Sequence, residues 1–304
     1  MSPRSANTPA GTGRLKYGIS VPPHGDYGDP KLLAQLAREA EDAHWDGFFL
    51  WDHLLFMRGF DGPVVDPWIS LAAVATATRR ITFGTMVTPL ARRRPWKVAK
   101  EAATLDRLSD GRFILGVGLG YPRDSEFEDF GEDGDERVRA DKLDEALDII
   151  VGLWSGEPFS YKGRHFQVAE CTFLPRPVQR PRIPIWVGGY WPNRRPFRRA
   201  ARWDGVLPGR LSLERRKKWE PTMIPTQTYA DIVSYVEEHR TADSPYDFAI
   251  GGYTDGDGGD ADQARVSAYA DTGLTWWFEN LHGFRGSLEQ TRERIRLGPP
   301  RINR

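Results

Sequence analysis

Asp52 and His53 stand side by side at the end of a short apolar run, Gly47–Trp51. A carboxylate next to an imidazole can orient a ring or a substrate, or move a proton near neutral pH. The alternative is a histidine hydrogen-bonded into a structural rim. A second candidate is Gly116-Val117-Gly118-Leu119-Gly120. A dinucleotide fingerprint would need glycine where Tyr121 stands, a helix directly afterwards and an acid about 20 residues on, so that reading fails. Close approach of a planar cofactor to these glycines stays open beside simple packing. A third is Gly188-Gly189 followed by Asn193 and a helix, where free backbone N–H groups could meet a phosphate and Arg194, Arg195, Arg198 and Arg199 would add positive field. Those arginines could equally line a solvated helix face.

Other patterns are weaker. Asp255 to Asp260 resembles a calcium loop but lacks glycine at its sixth position and glutamate at its twelfth, where Val266 falls. It reads as a turn with Asp260 capping the next helix. The acidic run Asp124, Glu126, Glu128, Asp129, Glu132, Asp133, Asp135 and Glu136 reads as a solvated loop first and a lid second. No HExxH, Cys/His cluster, GxSxG or Walker loop occurs, so no metal site is assigned and nucleophilic hydrolysis has no support.

The elements that must position these groups alternate. Strand-like runs fall at Tyr17–Val21, Gly47–Trp51, Ile81–Val87, Phe113–Gly118, Ile183–Gly188, Asp204–Leu207, Phe248–Gly252 and Leu274–Glu279. Each is followed by a helical pattern: Pro30 to about His44, Pro67–Arg79, Pro95–Leu108, Arg139–Trp154, Asn193 to near Trp203, about Thr228–His239, Asp260–Asp271 and Ser287–Arg296. In the third helix Ala102, Leu105 and Leu108 share a face, and Asp110-Gly111 supplies the stop. Eight successive βα units predict an α/β fold, a (β/α)8 barrel in one domain over 15–304, with active-site groups at the C-terminal ends of the strands. The loops there are long: Leu54–Val65, Tyr121–Val138, Pro208–Gln227 and Thr254–Asp260. Between the fourth helix and the fifth strand, an insertion at about 156–182 carries a predicted small hairpin over Phe159–Phe166. Trp51, Trp186, Trp191, Trp276 and Trp277 lie in or just after strands, so alternation should send half of them inward or to the mouth and half towards the helices.

Composition narrows the function. Lys+Arg and Asp+Glu both number 42 in 304 residues, so no global field draws nucleic acid or an anionic membrane. No apolar run reaches the roughly 18 residues a bilayer requires, and the start lacks a signal-peptide core. Cys171 stands alone and is read as an inert thiol. A cytoplasmic protein with a disordered tail over 1–14 is expected.

With these residues laid out, the chain resembles the bacterial luciferase-like family of flavin- and deazaflavin-dependent oxidoreductases. The likeness spans Tyr17 to Pro300 and rests on Leu50-Trp51-Asp52-His53, Thr85-Met86-Val87-Thr88-Pro89, Arg94-Pro95 with AKEAATLDRLSDGRFILGVGLG, and Pro184-Ile185-Trp186-Val187-Gly188-Gly189 leading to Ala201-Arg202-Trp203-Asp204-Gly205. The resemblance implies a barrel mouth holding reduced FMN or the deazaflavin coenzyme F420, a small organic substrate, a homodimer and, with FMN, a separate flavin reductase. It places Asp52 and His53 near the ring, with His53 as proton donor or orienter, and Thr85-Met86 at a strand bulge that often carries a non-proline cis peptide. Gly118, Leu119 and Gly120 would line the ring edge, and Gly188, Gly189 and Tyr190 would hold the phosphate. Deazaflavin sugar-phosphate dehydrogenases of this family carry an acid where Tyr121 stands, which puts that substrate class in doubt and leaves Tyr121 as a proton donor or a pocket wall. Monooxygenation or hydride transfer is the implied activity, with a non-catalytic flavin-binding barrel as the alternative.

Overall fold

Proline opens three of the helices, where its missing N–H costs nothing, and two of these carry an aspartate cap in front. Asp29 caps α1 (Pro30–Asp42) through the Lys31 N–H, and Asp66 caps α2 (Pro67–Ala77) through the Ile69 N–H. The third, α3 (Pro95–Leu108), ends in Asp110 and Gly111, both at positive φ. The computed structural model describes residues 14–210 and 223–302. The expected tail therefore lies outside the described residues except for Arg14, as does most of the Pro208–Gln227 loop.

The strands are β1 (Lys16–Val21), β2 (Gly47–Leu50), β3 (Thr82–Thr85), β4 (Thr88–Pro89), β5 (Phe113–Gly118), β6 (Pro158–Lys162), β7 (Gln167–Thr172), β8 (Ile185–Trp191), β9 (Gly205–Arg210), β10 (Asp247–Gly252) and β11 (Trp276–Asn280). Between and after them run α4 (Arg123–Glu126), α5 (Glu136–Trp154), α6 (Arg194–Ala200), α7 (Thr226–His239), α8 (Asp260–Ala270) and α9 (Leu288–Arg296). Parallel pairing runs β3-β2-β1-β11-β10-β9-β8-β5, and the β3–β5 pairing closes the ring. The chain is the expected (β/α)8 barrel.

Four features differ from expectation. The third strand is interrupted: β3 stops at Thr85, a cis peptide joins Met86 to Val87, and β4 resumes pairing with β5. The hairpin is larger than Phe159–Phe166, because residues 163–166 form only its turn and β7 supplies the second arm. The fifth barrel strand continues to Trp191, pairing with β9 as far as Arg210. At α8 the cap is Gly259 rather than Asp260, while the buried Asp262 accepts the N–H groups of Asp255 and Gly256.

The barrel interior is filled by Phe49, Ile114, Trp186, Ala249, Trp276 and Phe278. Phe49 stacks on Trp186 at 5.5 Å and Trp276 on Phe278 at 5.5 Å. Rings this large fit because glycines face them: a Cβ on Gly18 would sit 2.2 Å from Phe278, one on Gly47 2.8 Å from Trp276, and one on Gly205 2.4 Å from Trp186. Trp277 points the other way and packs on Tyr269, while Trp51 and Trp191 are half-buried at strand ends. The tryptophans thus divide as alternation predicts.

Gly116 is the tightest of these positions, since a Cβ there would lie 1.9 Å from the Thr85 carbonyl oxygen, a backbone atom that cannot swing aside. Gly116→Ala should cost about 3 kcal/mol or more, or prevent folding. Gly283→Ala, with nothing within 4 Å of the added Cβ, should cost little. Urea denaturation midpoints of the two variants check the contrast.

Candidate active site

Burial falls away at one end of the barrel. In β8 it is complete through Val187 and opens from Gly188; in β11 it is complete through Glu279 and opens at Asn280. Trp51, His53, Met86, Val87, Leu119, Leu207 and Tyr253 are likewise half-buried just past or near the ends of their strands. These are C-terminal ends, so the mouth lies where the topology expects it. A cleft of about 400 Å³ lined by Val151, Trp154, Arg176 and Arg182 lies at the opposite end, away from Asp52 and His53.

Asp52 and His53 face different surroundings. The Asp52 carboxylate is buried and saturated: it takes Arg92 at 2.8 Å, Arg93 at 3.0 Å, the Thr88 hydroxyl at 2.8 Å and the Trp68 indole N–H at 3.2 Å. It braces the mouth from beneath. His53 remains 14% exposed, with Nδ1 3.3 Å from Glu126 Oε1. Glu126 is fully buried, bonded to Arg92 and to the backbone N–H groups of Leu54, Leu55 and Phe56. Burial pushes its carboxyl up, but His53, Arg92 and the Leu54 N–H outweigh this and hold it down at about 2.

Glu126 is thus a correction to the sequence reading, which put it in a solvated acidic loop. The rest of that run is half-buried or exposed. The signal for it was indirect: Arg92 and Arg93 after the third strand needed acids, and Asp52 could neutralise only one of them.

Two further histidines went unnoticed. His24 stacks on Phe56 with centroids 3.9 Å apart and lies 6.2 Å from His53 and 6.0 Å from Trp51. His282 lies 6.0 Å from Trp51 on the other side, with Tyr253 Oη 3.4 Å from its Nε2. Both imidazoles are pushed down to about 4, His24 by burial and then by His53 and His282, His282 by burial and then by Arg285. Both are therefore neutral at pH 7. Neither lies in a motif, which is why sequence alone could not select them.

The glycine-rich segments behave differently from expectation. A Cβ on Gly118 would meet the Val87 side chain at 2.5 Å and one on Gly188 at 3.0 Å, so these glycines first make room for the residue after Met86. Thr85 is buried and bonds the Gly116 carbonyl at 2.7 Å, whereas Met86 packs half-buried on the interior aromatic group. Gly120 turns at φ 82° against Pro89 and Phe127, and Arg139 donates to the carbonyls of Leu119 and Gly120. Tyr121 is 67% exposed, on the outer rim. Gly188, Gly189 and Tyr190 belong to β8 and are paired with β9, so their N–H groups are not a loop ahead of the helix. The α6 arginines do not form an open cationic field either: Arg195 bonds Asp141 and Asp144, Arg199 bonds Asp144 at 2.9 Å, and Arg194 lies 3.7 Å over Trp191.

Taken together, the mouth offers an apolar shelf of Met86, Val87 and Leu207 above the interior rings, with the partly exposed His53 beside Trp51. The buried His24 Nε2 has no hydrogen-bond partner. These residues fit a planar ring with apolar faces and polar edges. No helix among the described residues is long and apolar enough to cross a membrane, and the described residues contain no group of His, Cys, Asp and Glu able to hold a metal.

A parallel barrel with its polar groups gathered over the C-terminal strand ends defines the class, a (β/α)8 barrel with a ring-sized site at its mouth. Within it, the chain belongs to the luciferase-like family, because the model described as luciferase-like monooxygenase matches residues 15–224. It is 35% identical over 193 residues to the F420-dependent hydroxymycolic acid dehydrogenase of Mycobacterium tuberculosis, covering 63% of this chain and 52% of that one. It is 34% identical over 172 residues to the F420-dependent glucose-6-phosphate dehydrogenase of Nakamurella multipartita, covering 54% and 48%. The chain therefore spans about half the length of the curated relatives it matches. Its fold is shared with an F420-dependent secondary alcohol dehydrogenase solved with an F420–acetone adduct, at TM-score 0.74, 17% identity and coverage of 94% and 98%. A monooxygenase from Streptomyces bottropensis gives TM-score 0.72, 21% identity and coverage of 93% and 97%.

The buried histidines set an acid limit on stability. A histidine ordinarily titrates near 6.5 and these titrate near 4 when folded, so between those values the unfolded chain binds more protons and stability falls as pH is lowered. The full shift corresponds to about 3 kcal/mol per histidine. Glu126, held at about 2 against an ordinary 4.5, contributes fully above about 4.5 and begins to lose that contribution at the acid end of this window. The stability lost between pH 7 and pH 4 in urea titrations should be smaller in His24→Gln than in the wild type.

Proposed function

We propose that the chain is an oxidoreductase that uses the deazaflavin F420 to transfer hydride to or from a small neutral organic substrate. The observation that carries the reading is His53, partly exposed just past the end of β2 beside Trp51 and backed by the buried carboxylate of Glu126. A ring seated there supplies the hydride, and the protein supplies orientation, water exclusion and a proton site. Met86 and Val87 would press on one ring face, Gly118, Leu119 and Gly120 would follow its edge, and the end of β8 at Gly188, Gly189 and Tyr190 would approach the phosphate side. His53 Nε2, the nitrogen away from Glu126, would hold or release the proton that balances hydride transfer at a carbonyl or hydroxyl. Support for F420 comes from the names of the 34–35% identical relatives. The exposed Tyr121 does not supply the acid that the resemblance expects for a sugar phosphate, which favours a different substrate.

A second reading, oxygen chemistry on reduced FMN fed by a separate reductase, is favoured by the family model's description as a monooxygenase. Titration separates the two: F420 should bind at least about tenfold more tightly than FMN, a difference of about 1.4 kcal/mol. The opposite order would select the FMN reading, and binding of neither would end both. With F420 bound, His53→Ala should lower turnover by about 100-fold or more, the usual range for a positioned acid or base, whereas Tyr121→Phe should change it only a few-fold.

A further inference from the structure

Glu126 has more to do than close a loop. Oε2 takes Arg92 and the Leu54 N–H at 3.0 Å, and Oε1 takes the Phe56 N–H at 2.8 Å and lies 3.3 Å from His53 Nδ1, a buried nitrogen with no hydrogen-bond partner in this geometry. Arg92 also donates to the Asp52 backbone carbonyl at 3.2 Å and to its carboxylate, so one guanidinium fixes both the glutamate and the backbone that carries His53. Arg92 thereby ties the turn after β2, which carries His53, to the short helix α4.

A buried carboxylate is expensive unless each oxygen finds donors. Three backbone N–H groups and Arg92 already satisfy this one, so the approach of Oε1 to Nδ1 is not required for its burial. It does constrain the histidine. A neutral imidazole carries one N–H, and a carboxylate oxygen 3.3 Å from a buried Nδ1 that has no other hydrogen-bond partner favours the proton there and leaves the Nε2 lone pair directed elsewhere. His24, from the loop after β1, lies 6.2 Å from His53, and Arg92 from the turn after β4 is occupied by Glu126 and Asp52.

We propose that Glu126 is the positioning residue for His53, holding a proton on Nδ1 and so presenting Nε2 to the substrate at the barrel mouth. The identity of the group that meets Nε2 rests on the oxidoreductase reading; the tautomer does not. His24 and His282, neutral in the same aromatic cluster, shape the site.

The test is 15N NMR of the full chain labelled at histidine, followed against pH with no cofactor added. Above its midpoint, the wild-type His53 should show a protonated Nδ1 and an unprotonated Nε2. In Glu126→Gln, which keeps the side-chain shape but removes the charge, the tautomer preference should weaken or reverse. A predominantly Nε2-protonated His53 in the wild type would overturn the proposal even if the variant failed to fold. So would an unchanged tautomer in a folded Glu126→Gln. Failure to bind F420 or FMN would sink the oxidoreductase reading and leave these signals untouched, so the two failures are distinguishable.

Discussion

Arg92 joins two carboxylates that the sequence separates by more than seventy residues. Its side chain is 3% exposed and is shared by Asp52 at the end of the second strand and Glu126 in α4. With Arg93 the group holds two positive and two negative charges, and this balance is what makes burial tolerable. Losing one member would strand the others in a medium that cannot solvate them, at a cost of about 3–5 kcal/mol. The mouth inherits its geometry from this cluster: it fixes the turn that carries His53, anchors the N–H groups of 54–56, and ties the loop after β5 to the turn after β4.

Beneath the cluster, the barrel obeys a steric constraint. Large rings occupy the axis only because neighbouring strands present glycine to them, and the same exchange recurs higher up, where Gly118 and Gly188 receive Val87. The two levels depend on each other. The interior rings support Met86 and Leu207, and these side chains make the apolar shelf of the mouth. Charge and packing thus act on one small region from opposite sides, so a ligand there meets surfaces that have little freedom to adjust.

The repeating architecture was legible because its signals are local. Proline at the first turn marked α1, α2 and α3, Asp110-Gly111 marked a stop, and strand alternation sorted Trp276 from Trp277. Strand ends were less legible, because β8 runs on to Trp191 through pairing with β9 rather than through any preference of Gly188 or Gly189. The site divided similarly. His53 could be found from its place after a strand, whereas Glu126 sat among carboxylates that look alike in sequence and differ only in burial. The histidines at 24 and 282 belong to loops whose meeting around Trp51 is decided by barrel closure, and no periodicity records that. The α6 arginines show the converse error: a cluster of like charges suggested a field, but two of them are already neutralised by α5.

The packed interior also governs traffic. With Phe49, Trp186, Trp276 and Phe278 sealing the axis, the barrel is a cup rather than a tube, and everything that reaches the shelf enters and leaves by one opening. Its floor is made of buried rings, so a ligand lying on Met86 and Leu207 would rest on packed side chains and not over a passage through the barrel.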